Sequence, residues 1–199
     1  MNILGLTGSI GMGKSTAAAM LRRLGVPVHD ADAVVHCLFA RGGAAVAGVA
    51  AAFPGVIQDS RVDRVALGRR VFGDPAALAR LEAIVHPLVR AAERRFLQIH
   101  RRRGTPLVVL DIPLLFETGG ERRVDRVVVV SCPGFLQAQR VLKRPGMTPE
   151  RFAVIRAKQM PDAEKRKRAD FVVPTGCGRR ETLRRLRAVV TLMSCARSS

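Results

Sequence analysis

Leu6-Thr-Gly-Ser-Ile-Gly-Met-Gly-Lys-Ser-Thr16 is the stretch on which the reading of this chain turns. It contains Gly8-x-x-x-x-Gly13-Lys14-Ser15, a full match to the phosphate-binding loop pattern. Glycines let the backbone turn tightly and aim successive N–H groups at an anion. The flanks have the order that gives such a loop its function. Asn2 to Leu6 reads as a short buried strand. From Lys14 to Leu24 apolar residues recur at helical spacing (Ala17, Met20, Leu21, Leu24), with Gly25 at the C-cap position. A helix opening directly behind the glycines adds its positive N-terminal dipole to the cradle. Lys14 is placed to reach the β- and γ-phosphates of a nucleoside triphosphate, and Ser15 to offer its hydroxyl to Mg²⁺.

Outward from the loop, strands and helices alternate. Val26 to Val28 reads as a second strand, running into His29-Asp-Ala-Asp32. Residues 33 to about 103 read as almost wholly helical, with a break or restart at Pro87. Two continuous apolar runs, Thr105 to Asp111 and Asp125 to Val130, read as parallel strands covered on both faces. Residues 135–169 are helical and basic, Asp170 to Val173 forms a last strand, and Glu181 to Met193 a closing helix. The tail from Ser194 is expected to fray. The expected fold is α/β: a doubly wound, parallel five-stranded sheet of the P-loop nucleotide-kinase type. The expected division is a core of residues 1–28, 104–136 and 168–199, an inserted helical acceptor-binding domain over 29–103, and a lid over 137–167.

Composition narrows the partners. With 34 Lys and Arg against 16 Asp and Glu, the net charge of +18 attracts anions. Nucleic acid is one class of anion, but the basic residues are scattered, no nucleic-acid motif occurs, and Trp and Tyr are absent as base-stacking platforms. A phosphate-rich small substrate is the other class, and the loop favours it. No apolar run approaches the roughly 20 residues of a membrane span, and no secretory leader is evident, so a cytoplasmic protein without membrane contact is expected. Cys37, Cys132, Cys177 and Cys195 show neither disulfide nor metal spacing, and Lys165 to Arg168 read as a solvated or steering patch. Monomer and small homo-oligomer are both open.

Acids and arginines supply the remaining candidates. Asp30 and Asp32 fall on one side if the second strand reaches them, and either could accept a proton from an attacking hydroxyl. Asp32 could instead cap the helix that follows. Asp111 ends its strand as a Walker-B acid does, placed to hold Mg²⁺, with Glu117 nearby. Arg140 and Arg144 sit one helical turn apart and could close on a transferring phosphoryl group. His86, before Pro87, could touch an acceptor phosphate or merely pack.

Taken together, Leu6 to Thr16, Asp30-Ala-Asp32, Ile84-Val-His-Pro-Leu-Val89 and Asp111-Ile-Pro-Leu-Leu-Phe-Glu117 resemble the dephospho-coenzyme A kinase family. So do Gln139-Arg140 with Arg144, Gln159 with Pro161, and Glu164-Lys165 with Ala169-Asp170. These stretches follow the family's order over nearly the whole chain. The resemblance implies ATP-dependent phosphorylation of the ribose 3′-hydroxyl of dephospho-coenzyme A, the last step of coenzyme A synthesis. It further implies Asp32 as general base, and Gly11, Met12, Gly13, Lys14, Ser15 and Thr16 around the ATP phosphates. Arg140 would act on the transferring group with Arg144 beside the nucleotide. Asp30, His86 and the Asp111 to Glu117 segment, Leu114 included, would face acceptor or metal, and the loop after the last strand would lie by the adenine. A different small-molecule P-loop kinase would share Lys14, Ser15 and Asp111 without the other segments.

If the glycine loop is the phosphate site, Lys14→Ala abolishes turnover while its circular dichroism spectrum stays that of the parent. Near-normal turnover in that variant removes the loop from the chemistry.

Overall fold

The structure, a computed structural model, describes residues 1–195. Its elements in chain order are β1 (Asn2–Thr7), α1 (Lys14–Arg23), β2 (Val28–Asp30), α2 (Ala31–Phe39), α3 (Val46–Ala52), β3 (Ile57–Gln58), β4 (Arg61–Val62), α4 (Arg64–Val71) and α5 (Pro75–Arg102). They continue with β5 (Leu107–Asp111), a 3-10 turn at Gly120–Arg123, β6 (Arg126–Ser131), α6 (Gly134–Leu142), α7 (Pro149–Ala157), α8 (Asp162–Arg168), β7 (Phe171–Pro174) and α9 (Arg179–Cys195). The chain divides into two compact units, residues 1–29 with 100–199, and residues 30–99.

The first unit is built on a five-stranded sheet in the order β2-β5-β1-β6-β7. β1 pairs in parallel with β5 and with β6, and β6 with β7. The apolar runs form strands because both faces are covered. Leu4, Leu6, Val109, Val128 and Val130 pack with Ala17, Leu21, Leu186 and Val189 of α1 and α9. On the other face Gly5 lies under Leu115 and Val124, so close that a Cβ there would sit 3.0 Å from Leu115 Cδ2. The register sets Leu6 level with Asp111. The loop after β1 and the acid that ends β5 therefore leave the sheet together, which is the positioning the site requires. β7 ends on Pro174, inside the strand rather than after it. A residue without an N–H is tolerated there because β7 is an edge strand.

The second unit has its own apolar cluster, in which Phe39, Val49, Phe53, Val62, Leu67 and Val85 are buried. Three expectations are corrected. The block is not wholly helical: β3 and β4 form an antiparallel hairpin. Its two-residue turn, Asp59 (φ 49°) and Ser60 (φ 59°), has the left-handed pair that matches strand twist, achieved without glycine. Pro87 does not end its helix; α5 runs through it. Proline removes one i→i−4 bond, and both Ala83 and Pro87 are exposed, so the loss falls on the solvent side of the helix. Strand β2 stops at Asp30, and α2 starts at once, so Asp30 and Asp32 are not alternate residues of a strand. In the first unit α9 extends to Cys195, beyond the expected end at Met193; of the tail expected to fray, residues 196–199 lie outside the described residues.

Gly8→Ala tests how tightly the loop is seated. A Cβ there would lie 2.5 Å from Val130 Cγ2 and 2.8 Å from its backbone oxygen. Urea unfolding is expected to show a loss of about 1–3 kcal/mol. Gly68→Ala, in open space within α4, gains about 0.5–1 kcal/mol as a helix propensity effect.

Candidate functional site

The loop Gly8 to Gly13 needs glycine at three places for two reasons. At Gly8 the need is steric closeness to Val130. At Gly11 (φ 78°) and Gly13 (φ 89°) the backbone is left-handed, and a Cβ on Gly11 would also meet Val141 Cγ2 at 2.5 Å. Gly13 is the N-cap of α1 and brings no side chain to its first amides, and the first turn of α1 holds no acid. The helix thus presents its N–H groups and dipole without an internal competitor for an anion. Met12 is buried and anchors the loop. Its Sδ accepts from the Cys132 amide at 3.2 Å, and its carbonyl accepts from Thr175 Oγ1 at 2.7 Å. Burial pushes the Cys132 thiol above its ordinary pKa, which suits an inert packing residue.

Lys14 leaves this loop toward Asp111. Its Nζ lies 2.7 Å from Asp111 Oδ1, and the carboxylate is only 2% exposed. Ser15 and Thr16 are exposed at the same mouth. Hydroxyl and carboxylate oxygens are the hard donors that suit Mg²⁺, so Ser15 and Asp111 fit such an ion. Among the described residues no cluster of three His, Cys, Asp or Glu offers a self-contained metal cage. An ion here would therefore draw its other ligands from water and phosphate.

Arg140, on α6, is half-buried against the loop. Its Nη1 donates to Thr175 Oγ1 at 3.1 Å and to the Gly11 carbonyl at 3.5 Å, and its Nη2 donates to the Thr175 carbonyl at 2.8 Å. One guanidinium thus joins the phosphate loop to the loop behind β7. Arg144 does not share its helical face. α6 ends at Leu142, and Arg144 follows the cap, exposed.

The Asp111 to Glu117 segment is tied back to the core: the Ile112 amide donates to Leu6 at 3.0 Å, and Thr7 Oγ1 to the Pro113 carbonyl at 3.0 Å. Leu114 is exposed on it. Glu117 has two partners on its Oε1, the Met160 amide at 2.8 Å and the Lys165 ammonium at 2.8 Å. Burial pushes the Glu117 carboxyl up, but the ammonium and the amide outweigh it and hold the pKa below the ordinary range. Lys165 is fully buried, which corrects its reading as part of a solvated patch; Arg166, Lys167 and Arg168 are exposed. Its spacing inside a run of like charges hid it. Sequence reasoning also missed Gln137, which is buried and donates from Nε2 to the Ile10 carbonyl at 2.8 Å. Nothing in the pattern distinguishes it from Gln139.

The remaining candidates belong to the second unit. Asp30, not Asp32, is the cap of α2, its Oδ1 accepting from the Ala33 amide at 3.0 Å. Asp32 lies exposed in the first turn, with its carboxylate off the cap. His86 is exposed on α5.

The profile of the family described as dephospho-CoA kinase matches residues 2–178. A curated dephospho-CoA kinase from Paramagnetospirillum magneticum is 73% identical over 197 residues, spanning 99% of this chain and 93% of that protein. A crystal structure of a protein from Thermus thermophilus superposes with a TM-score of 0.78 at 41% identity, covering 96% of this chain and 97% of the other. The dephospho-CoA kinase of Campylobacter jejuni shares the fold, with a TM-score of 0.67 at 24% identity and coverage of 96% and 97%.

Removing one partner of the buried Lys165–Glu117 pair leaves an uncompensated charge. Lys165→Met is expected to cost about 3–5 kcal/mol in urea unfolding, and Lys165→Met with Glu117→Leu to recover most of it. The sign with pH follows from the lowered Glu117 pKa. The pair's contribution is complete above the ordinary carboxylate pKa and is lost as pH falls through the depressed one. Acid therefore destabilises the parent more steeply than the double variant.

Proposed function

The chain belongs to the dephospho-CoA kinase family, and we propose the residues by which it performs that family's reaction. It phosphorylates the ribose 3′-hydroxyl of dephospho-coenzyme A with ATP, giving coenzyme A and ADP, the last step of coenzyme A synthesis. The observation that carries the residue assignment is the Lys14–Asp111 pair at the mouth of a loop with left-handed glycines at Gly11 and Gly13.

The amides of Gly11 to Thr16 hold the triphosphate, and Lys14 draws its β- and γ-phosphates toward Asp111. Ser15 and Asp111 would hold Mg²⁺, which would supply positive charge against the phosphates. The acceptor hydroxyl oxygen forms the new bond to the γ-phosphorus, the bond from that phosphorus to the β-γ bridging oxygen breaks, and ADP leaves with the electron pair. Asp32 takes the hydroxyl proton, a role its exposure permits and that no capping bond obstructs. Arg140 stabilises the charge spread over the transferring group, and Arg144 assists at the nucleotide. Residues 29–103 form the acceptor-binding domain, with Asp30 and His86 among its contacts to acceptor. Leu114 and Glu117 border the acceptor from the segment after β5. Residues 137–167 form a lid whose closure excludes water. No described helix is long and apolar enough to cross a membrane. The proposed compartment is the cytoplasm, where ATP and the acceptor are available.

A coupled ADP-release assay across dephospho-coenzyme A, nucleoside monophosphates and shikimate tests the proposal. Dephospho-coenzyme A is expected to give the highest kcat/KM, with little ATP hydrolysis when no acceptor is present. Preference for another acceptor overturns the substrate assignment, and fast acceptor-independent hydrolysis overturns the closing lid.

A further inference from the structure

Ile10 stands at the tip of the phosphate loop, and side chains from outside the loop take both of its backbone polar groups, which belong to the two successive peptides on either side of its Cα. Its N–H donates to Gln159 Oε1 at 3.0 Å, and its carbonyl accepts from Gln137 Nε2 at 2.8 Å. The tip cannot rotate without breaking one of these bonds. It is followed directly by Gly11, where the amides assigned to the phosphates begin.

Gln159 can act as a brace only if it is itself held. It sits between α7 and α8, in a stretch fastened at two further points. The Met160 amide and Lys165 both reach Glu117, and Asp162 Oδ2 accepts from Ser131 Oγ at 2.7 Å. Residues 159–165 are thus bound to the phosphate loop, to the segment after β5 and to the end of β6. The helix just before them contrasts sharply. Phe152 is the buried residue of α7. Ala153, Arg156 and Ala157 are exposed, and they line one side of a cleft of about 450 Å³ whose other residues include Ser9, Gln137, Gln159 and Asp162. The cleft leaves space between α7 and the phosphate loop.

We propose that Gln159 is a positioning residue for phosphoryl transfer: from a fixed root of the lid it locks the Ile10 peptide, so that the amides of Gly11 to Thr16 keep one orientation toward the triphosphate. The proposal rests on the nucleotide reading above. It narrows the moving part of the lid to the residues between Arg140 and Gln159. Without the brace, ATP must order the loop as it binds, and that cost falls on ATP affinity rather than on the acceptor.

Gln159→Met keeps the side-chain length and removes the acceptor oxygen, and Gln159→Glu keeps an acceptor oxygen at the same reach. Losing one hydrogen bond predicts a roughly five- to tenfold rise in KM for ATP with Gln159→Met. KM for dephospho-coenzyme A and kcat should change less than about twofold on the same reasoning. Hydrogen exchange should show faster exchange of the Ile10 amide in Gln159→Met and restored protection in Gln159→Glu. In the parent, an ATP analogue should slow exchange over α7 and leave 159–168 unaltered. A KM for ATP equal to the parent's overturns the inference. So does an equal rise in both KM values with a lowered melting temperature, the mark of a general structural role. If Gln159→Met proves too unstable to assay, Gln159→Ala reads the same quantities. If the parent itself fails to bind ATP, the nucleotide reading has failed and not the brace.

Discussion

An ammonium and a carboxylate 2.7 Å apart, at the rim of a glycine loop, set the constraint on which the first unit depends. Asp111 is almost wholly buried, and an isolated carboxylate there would be costly without a compensating charge. Lys14 supplies that charge, and it can do so only because the sheet register brings the ends of β1 and β5 level. The pair fixes the lysine ammonium at the end of β5.

The rest of the first unit maintains that geometry. Gly8 seats the loop against Val130, Met12 roots it in the core, and Arg140 joins it to Thr175. Glu117 and Lys165 bind the segment after Asp111 to α8. The polar side chains that bond to the loop backbone are the amides of Gln137 and Gln159, the hydroxyl of Thr175 and the cation of Arg140, none of them an anion. The diffuse +18 charge attracts anions in general and sets no orientation of its own.

Much of this was legible in the sequence because the signals were local. A glycine pattern between an apolar run and a helical period fixes strand, loop and helix together, and continuous Val and Leu runs mark strands buried on both faces. Lys14, Ser15 and Asp111 follow from those elements. The legible part ends where tertiary contacts decide. Lys165 looks like any cation in a basic run until α8 turns it inward, and Gln137 and Gln139 are indistinguishable until α6 is placed. The capping role falls to Asp30 rather than Asp32 because the strand reaches Asp30 and α2 starts at the next residue. The β3–β4 hairpin carries no glycine at its left-handed positions, and Pro87 sits on a helix face where the missing hydrogen bond is harmless.

The account is tested most directly by a crystal structure of the chain with a non-hydrolysable ATP analogue, Mg²⁺ and dephospho-coenzyme A. It predicts β- and γ-phosphate oxygens within hydrogen-bonding distance of the Gly11 to Ser15 amides, Lys14 Nζ turned onto them, and the ribose 3′-hydroxyl against Asp32. A triphosphate bound elsewhere, with Lys14 still held by Asp111 alone, would contradict it.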